Sequence, residues 1–282
     1  MRKRREPNKD YEFSSLPTTR KEAFKDVYRH NFKTIFSSGI TLLLFSLPLI
    51  AFLIVMNIGR LGMTLDNYSK EALKSVLLVW DLILNGGVFV LLYITLIGLM
   101  GVMRVLKLLV WQEGINFWHD FRVGVKENIK HMTLFYVIGG LIYLATYCVY
   151  IFLLNFIIGL SLILLFTIIF VPMIFWSFYS INIYQTTFFN YLKNGIFFYT
   201  RSLPWTLLFV VFIIWPFFAM FIPPSGYAIM IKYPILILLI IFYYPFLLIV
   251  GYLYSCSKFD LYINKENYPE IYRKGLYDIN KR

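Results

Sequence analysis

Between Lys130 and Lys193 the chain carries no Asp, Glu, Lys or Arg, and this segment is the longest part of a relay of apolar runs that extends from Ser37 to Tyr254. A bilayer core about 30 Å thick is crossed by a helix of about 20 apolar residues, because each residue rises about 1.5 Å. Six runs meet that length: Ser37–Asn57, Val76–Met103, Met132–Leu154, Ile157–Ile181, Pro204–Ile222 and Tyr233–Tyr254. The sequence therefore predicts an all-α fold, a polytopic membrane bundle of six transmembrane helices over residues 23–255, with amphipathic helices on the cytoplasmic side. A basic disordered cytoplasmic tail is expected over 1–22 and a cytoplasmic C-terminal tail over 256–282. With most of the 282 residues committed to spans, no room remains for a separate soluble domain.

The basic residues give the orientation. If the N-terminus is inside, 23 of the 27 Lys and Arg fall in cytoplasmic segments, and only Arg60, Lys70, Lys74 and Lys232 fall outside. Such a bias places both termini in the cytoplasm. It also accounts for most of the net charge of +12 through attraction to anionic membrane lipids, with no nucleic-acid partner required. The long basic stretch ahead of the first run is unlike a cleavable signal peptide, so Met1 is expected to remain. Cys148 and Cys256 fall at different depths and predict no disulfide.

Shorter features refine the picture. Thr19 followed by Glu22 fits a capping box opening an interfacial helix that leads into the first span. The segment Ile58–Ser75 reads as the longest outer loop, and a tight turn is expected near Asn155 and Gly159. Pro48, Pro172, Pro216 and Pro245 fall in or near spans and predict bends. Trp80, Trp176, Trp205 and Trp215 lie toward span ends and read as an interfacial belt.

Catalytic signatures are missing. His30, His119 and His131 are dispersed, and the sequence has no HExxH, CxxC, GxSxG or phosphate-loop motif, so neither a catalytic site, a metal nor a cofactor is expected. The one acid inside a predicted span is Asp81, with Asn85 four residues on along the same helix face, a candidate intramembrane polar pair. Its position about one turn from the outer end favours pairing with Lys70 or Lys74 over ion coupling.

The most structured polar segment is Trp111–Lys130. Drawn as a helix, it gathers Trp111, Phe117, Trp118 and Phe121 on one arc, and Glu113, Asp120, Lys126 and Glu127 on the other, with Arg122 intruding on the apolar side. That is the form of a helix lying in the membrane surface, and these five charged residues are the candidate partner-docking set. A basic residue and an asparagine precede three spans, at Arg29-His30-Asn31, Lys126-Glu127-Asn128 and Lys193-Asn194, where asparagine is expected to act as a cap.

These same residues carry a family resemblance. Tyr28-Arg29-His30-Asn31-Phe32, a span ending in Ser46-Leu47-Pro48, then Gly98, Gly101, Arg104, Glu113-Gly114, Phe117, Phe121, Lys126, Asn128, Lys130, and finally Tyr191-Leu192-Lys193-Asn194 before Leu203-Pro204 resemble the YesL-like bacterial membrane proteins. The resemblance covers roughly Ala23 to Ser255. It implies an association with carbohydrate uptake and no catalytic residue. Two roles follow as expectations: a non-enzymatic accessory or scaffold subunit of a carbohydrate ABC system, or the solute-translocating permease itself, docking an ATPase through residues 111–130. The expected partners are membrane lipids and ABC transporter subunits, permease or ATPase.

Overall fold

The structure, a computed structural model, describes residues 17–65, 69–152, 156–216 and 225–277. Among them every regular element is a helix: α1 (Arg20–His30), α2 (Phe32–Leu65), α3 (Lys70–Val110), α4 (Phe117–Phe152), α5 (Phe156–Ile183), α6 (Phe188–Arg201), α7 (Leu203–Ile214) and α8 (Gly226–Asn267). Five of these, α2, α3, α4, α5 and α8, are long and apolar enough to cross a membrane, and the count is six if α6 and α7, bent by 106° at Ser202, form one broken span. Val55, Val90, Leu141, Leu164 and Ile169 each expose half or more of their surface. Water would make such a continuous apolar exterior unstable, and lipid would not.

From α2 to α5 each helix packs against the next as an antiparallel neighbour, and α8 returns to lie against α2 and α3. Apolar side chains gain little by leaving lipid, so close backbone approach and dispersion hold such helices together. At the crossing of α3 and α4, a Cβ on Gly124 would press on the Met100 carbonyl and the Gly101 Cα. Hydroxyls inside the long helices bond to their own helix four residues back, as Ser38 to Thr34, Ser46 to Leu42 and Thr167 to Ile163.

Several expectations change. Trp111–Lys130 is no separate surface helix: residues 111–116 form a turn, with Gln112 at φ 58°, and Phe117 begins a helix that runs unbroken through Lys130 into the third span. No helix breaker separates Lys130 from His131, so the polar turns simply extend the apolar ones. The expected outer loop 58–75 is mostly helix as well, since α2 continues to Leu65 and Ser69 caps α3 by accepting from the Ala72 amide at 3.3 Å. Gly159 lies inside α5; Asn155, Pro223 and Pro224 fall outside the described residues. Of the expected fifth span the structure describes only residues 204–216, and α7 holds 12 residues, about 18 Å of helix. Trp176 is no belt residue; it is fully buried.

The first and last described segments pack together against the bundle. Thr19 accepts from the Glu22 amide at 3.2 Å, while Glu22 reaches back to Thr18 instead of Thr19, a shifted capping box. Ala23 and Val27 of α1 are fully buried, so this helix is part of the core as well as an amphipathic surface element. Residues 256–267 extend α8, and the following turns return to the N-terminal segment, where the Tyr277 amide donates to the Pro17 carbonyl at 2.8 Å. Asp260 anchors this return, accepting from Arg20 Nη2 at 2.6 Å, Asn264 Nδ2 at 2.8 Å and the Arg273 amide at 3.2 Å. The disordered tail expected for 1–22 thus gives way to ordered chain from Pro17, and residues 1–16 lie outside the described residues.

Candidate functional site

At the end of the bundle where α1 and residues 268–277 lie, α3, α4 and α5 surround a polar cavity of about 520 Å³. Its walls come from Arg104 and Lys107 on α3, Glu127, Asn128 and His131 on α4, Asn182 and Ile183 at the end of α5 and residues 184–186 after it, closed by Tyr191 of α6. The cavity exists because α5 ends there. The last carbonyls of a helix lack amide partners within it, and the buried Lys107 supplies one, donating from Nζ to the Asn182 carbonyl at 2.7 Å.

Asn182 holds the cluster together. Its side-chain oxygen accepts from Asn128 Nδ2 at 2.9 Å, and its own Nδ2 donates to the Phe178 carbonyl at 3.0 Å and lies 3.7 Å from the Met103 sulfur. Three helices therefore meet in one polar node. Arg104 forms an ion pair with Glu127 across the α3–α4 interface. Tyr191 donates to the Tyr184 carbonyl at 2.7 Å and accepts from the Thr186 amide at 3.1 Å, while His131 sits edge-on to its ring at 5.1 Å. Tyr184 donates to Asn264 Oδ1 at 2.5 Å. Burial first, then the neighbouring Cys256 and Asp260, hold its phenol above the usual range, so it stays a neutral donor.

The candidate docking residues divide. Glu113 is tied to Lys274 at 2.5 Å, whose ammonium also lies 4.3 Å above the Trp111 ring, and Asp120 accepts from the Asn116 amide at 2.7 Å at the start of α4. Glu127 pairs with Arg104 and forms part of the cavity wall. Arg122 and Lys126 are exposed. Of the aromatic arc, Phe121 is buried and Trp118 is exposed on the bundle surface. Asn128 is not a cap; it stands in the middle of α4, pointing at Asn182. The residues that sequence reasoning missed are Lys107, Asn182 and Tyr184. Asn182 directly follows the apolar run Ile157–Ile181, where it read as no more than a span boundary.

Asp81 and Asn85 lie at the other end. Asp81 stands 3.4 Å from Arg60 of α2, the two side chains 30% and 39% exposed, so Arg60 takes the place expected of a loop lysine. Asn85 donates to the Asp81 main-chain carbonyl at 2.7 Å and accepts from Tyr143 at 3.2 Å, so the two side chains do not pair with each other. Nearby, the buried Lys232 donates to Asn57 Oδ1 at 3.0 Å, and Asn57 donates to Tyr233 at 2.7 Å. Because the Arg60–Asp81 pair is this exposed, Asp81→Asn should change stability by no more than about 1 kcal/mol, within the range of surface ion pairs. Membrane abundance and detergent melting temperature check this; a large loss would show that the carboxylate is needed.

Among the described residues no group of three His, Cys, Asp or Glu is placed to hold a metal. Comparison with models of known protein families, with curated proteins and with solved structures finds no match.

Proposed function

We propose that the chain is a non-enzymatic, multi-pass protein of the bacterial cell membrane, with both termini in the cytoplasm, acting as an accessory or scaffold subunit of a carbohydrate ABC uptake system. The observation that carries the choice between the two expected roles is the character of the space between the spans. A cavity of about 370 Å³ lies among α2, α3, α5, α7 and α8, walled by side chains such as Leu49, Leu92, Leu99, Val171, Phe175 and Leu247. The four hydroxyl-bearing side chains that line it are turned to backbone: Ser46 donates to the Leu42 carbonyl at 2.8 Å, Thr95 to the Phe45 carbonyl at 3.4 Å, Tyr179 to the Leu248 carbonyl at 3.3 Å and Tyr244 to the Ile213 carbonyl at 3.2 Å.

A sugar has a hydroxyl on most of its carbons, and each one stripped of water without a partner costs roughly 1–3 kcal/mol. An apolar chamber of this kind is a poor sugar path. It suits a protein that supports a transporter better than one that is the transporter. The family resemblance supplies the carbohydrate association, and the 23-to-4 division of basic residues supports the orientation.

Affinity purification of the tagged chain in a mild detergent, followed by mass spectrometry, tests the role. ABC permease and ATPase subunits should come with it in stoichiometric amounts, and sugar uptake by proteoliposomes holding this chain alone would overturn the reading. The orientation has its own test in a variant with Cys148→Ser and Cys256→Ala. A membrane-impermeant maleimide should label Tyr227→Cys in intact cells and Lys265→Cys only after permeabilisation. The reverse pattern would refute the charge argument.

A further inference from the structure

We infer that the polar cavity at the ends of α3, α4 and α5 binds a phosphate-bearing anion. Two cations, Arg104 and Lys107, line it against one carboxylate, Glu127, and its other polar walls are neutral amides, hydroxyls and His131. Lys107 is held in place by the Asn182 carbonyl and lies 4.9 Å from the Trp111 ring, so its charge is fixed at the wall before any ligand arrives. An ammonium has three donors, and the Asn182 carbonyl takes one.

Two of the residues that line it, Arg104 and His131, each hold a buried nitrogen, Nε and Nδ1, with no hydrogen-bond partner among the described residues. Buried polar groups left unmatched by the protein are sites where a ligand gains most, because the cost of removing them from water has already been met in folding. A guanidinium and an ammonium converging on one space suit a compact oxyanion with several acceptor oxygens, which phosphate has and chloride lacks.

Two sources offer this chemistry: a free phosphate or the headgroup of an anionic lipid. Met103 and Phe178 line the apolar chamber one helical turn from Lys107 and Asn182, so a headgroup in the polar cavity would lie close to space that accepts its chain. Free phosphate would use the polar cavity alone.

The experiment uses the full chain purified in a non-ionic detergent. Equilibrium dialysis with radiolabelled inorganic phosphate, at ionic strength held constant with chloride, reads the free anion. Native mass spectrometry after reconstitution with equal phosphatidylglycerol and phosphatidylcholine reads the lipid. Saturable phosphate binding identifies a soluble ligand, and selective retention of phosphatidylglycerol identifies a headgroup; each supports the site.

Arg104→Gln should weaken whichever binding is seen at least tenfold, and Glu127→Gln, which removes the one carboxylate, should strengthen it several-fold. The opposite signs separate a binding role from a structural one, since both variants break the same ion pair. Lys107→Met tests the second cation only if the variant keeps the wild-type elution profile, because it also strips the Asn182 carbonyl of its donor. The inference fails if neither phosphate nor phosphatidylglycerol is preferred over chloride and phosphatidylcholine, or if Arg104→Gln and Glu127→Gln shift binding in the same direction or not at all.

Discussion

Gly39→Ala should destabilise the protein by about 3 kcal/mol, at the top of the usual range for overpacking, and sharply lower its yield in the membrane. Gly39 lies in α2 where that helix crosses α8, and a Cβ there would fall on the carbonyl oxygen of Ile241. The obstacle is backbone, so no side chain can swing aside to make room. Sequence chemistry explains why this carbonyl stands there. Pro245 has no amide to offer the carbonyl four residues before it, and the helix widens into a π turn over Leu239–Tyr243 just ahead of the proline. The two breaks in regularity meet, a residue without a side chain on one helix and a proline-shifted carbonyl on the other.

Gly62→Ala is the matching control. It lies in the same helix with nothing among the described residues within 4 Å of a new Cβ, and alanine favours a helix over glycine by up to about 1 kcal/mol. Melting followed by size-exclusion chromatography should therefore move the two variants in opposite directions. Equal melting temperatures for Gly39→Ala and the wild type would mean that α2 and α8 do not approach as described.

The second large effect belongs to Trp176. This indole is fully buried on α5, stacks at 5.1 Å on Phe198 of α6, lies 5.5 Å from Tyr254 and 5.9 Å from Phe259 of α8, and donates to Thr206 Oγ1 of α7 at 3.0 Å. One side chain thus joins four helices, including both arms of the bent α6–α7 pair. Trp176→Ala should cost about 3–5 kcal/mol, the range for emptying a large aromatic site. Lipid weakens the hydrophobic part of that figure, but the lost dispersion contacts remain lost.

Trp176→Phe should recover most of the packing and leave Thr206 without its donor, a milder defect. The change should also show locally, as faster proteolysis between Tyr184 and Ser202 when α6 loosens from α5. A Trp176→Ala protein that melts like the wild type and resists protease equally would refute the assignment of this residue as the hub.

Much of the architecture could be read directly from the chain. The helical class, the apolar runs of α2, α3, α4, α5 and α8, and the start of α1 at Thr19 all follow from local composition, because a long uncharged run has to close its own backbone hydrogen bonds. Helix ends were harder to place. Polar residues at Ile58–Leu65 and Phe117–Lys130 signalled a loop and a surface helix, yet both stretches continue the neighbouring helices, since a polar side chain does not stop a helix that nothing else interrupts.

The candidate site lay beyond local reading altogether. Lys107 and Asn182 are 75 residues apart, and Asn128 and Asn182 are 54 apart. Lys107 looked like one more basic residue near a span end, and Asn128 like a cap, because their roles depend on where α5 stops and which carbonyl it leaves open. The ion partners of Glu113 and Glu127 were likewise not legible: the returning chain brings Lys274 to one and the α3–α4 crossing brings Arg104 to the other. Apolar run length is a property of consecutive residues, and it determined the class of fold. Pairing of charges and satisfaction of helix ends are properties of segments brought together, and only the tertiary structure decided them.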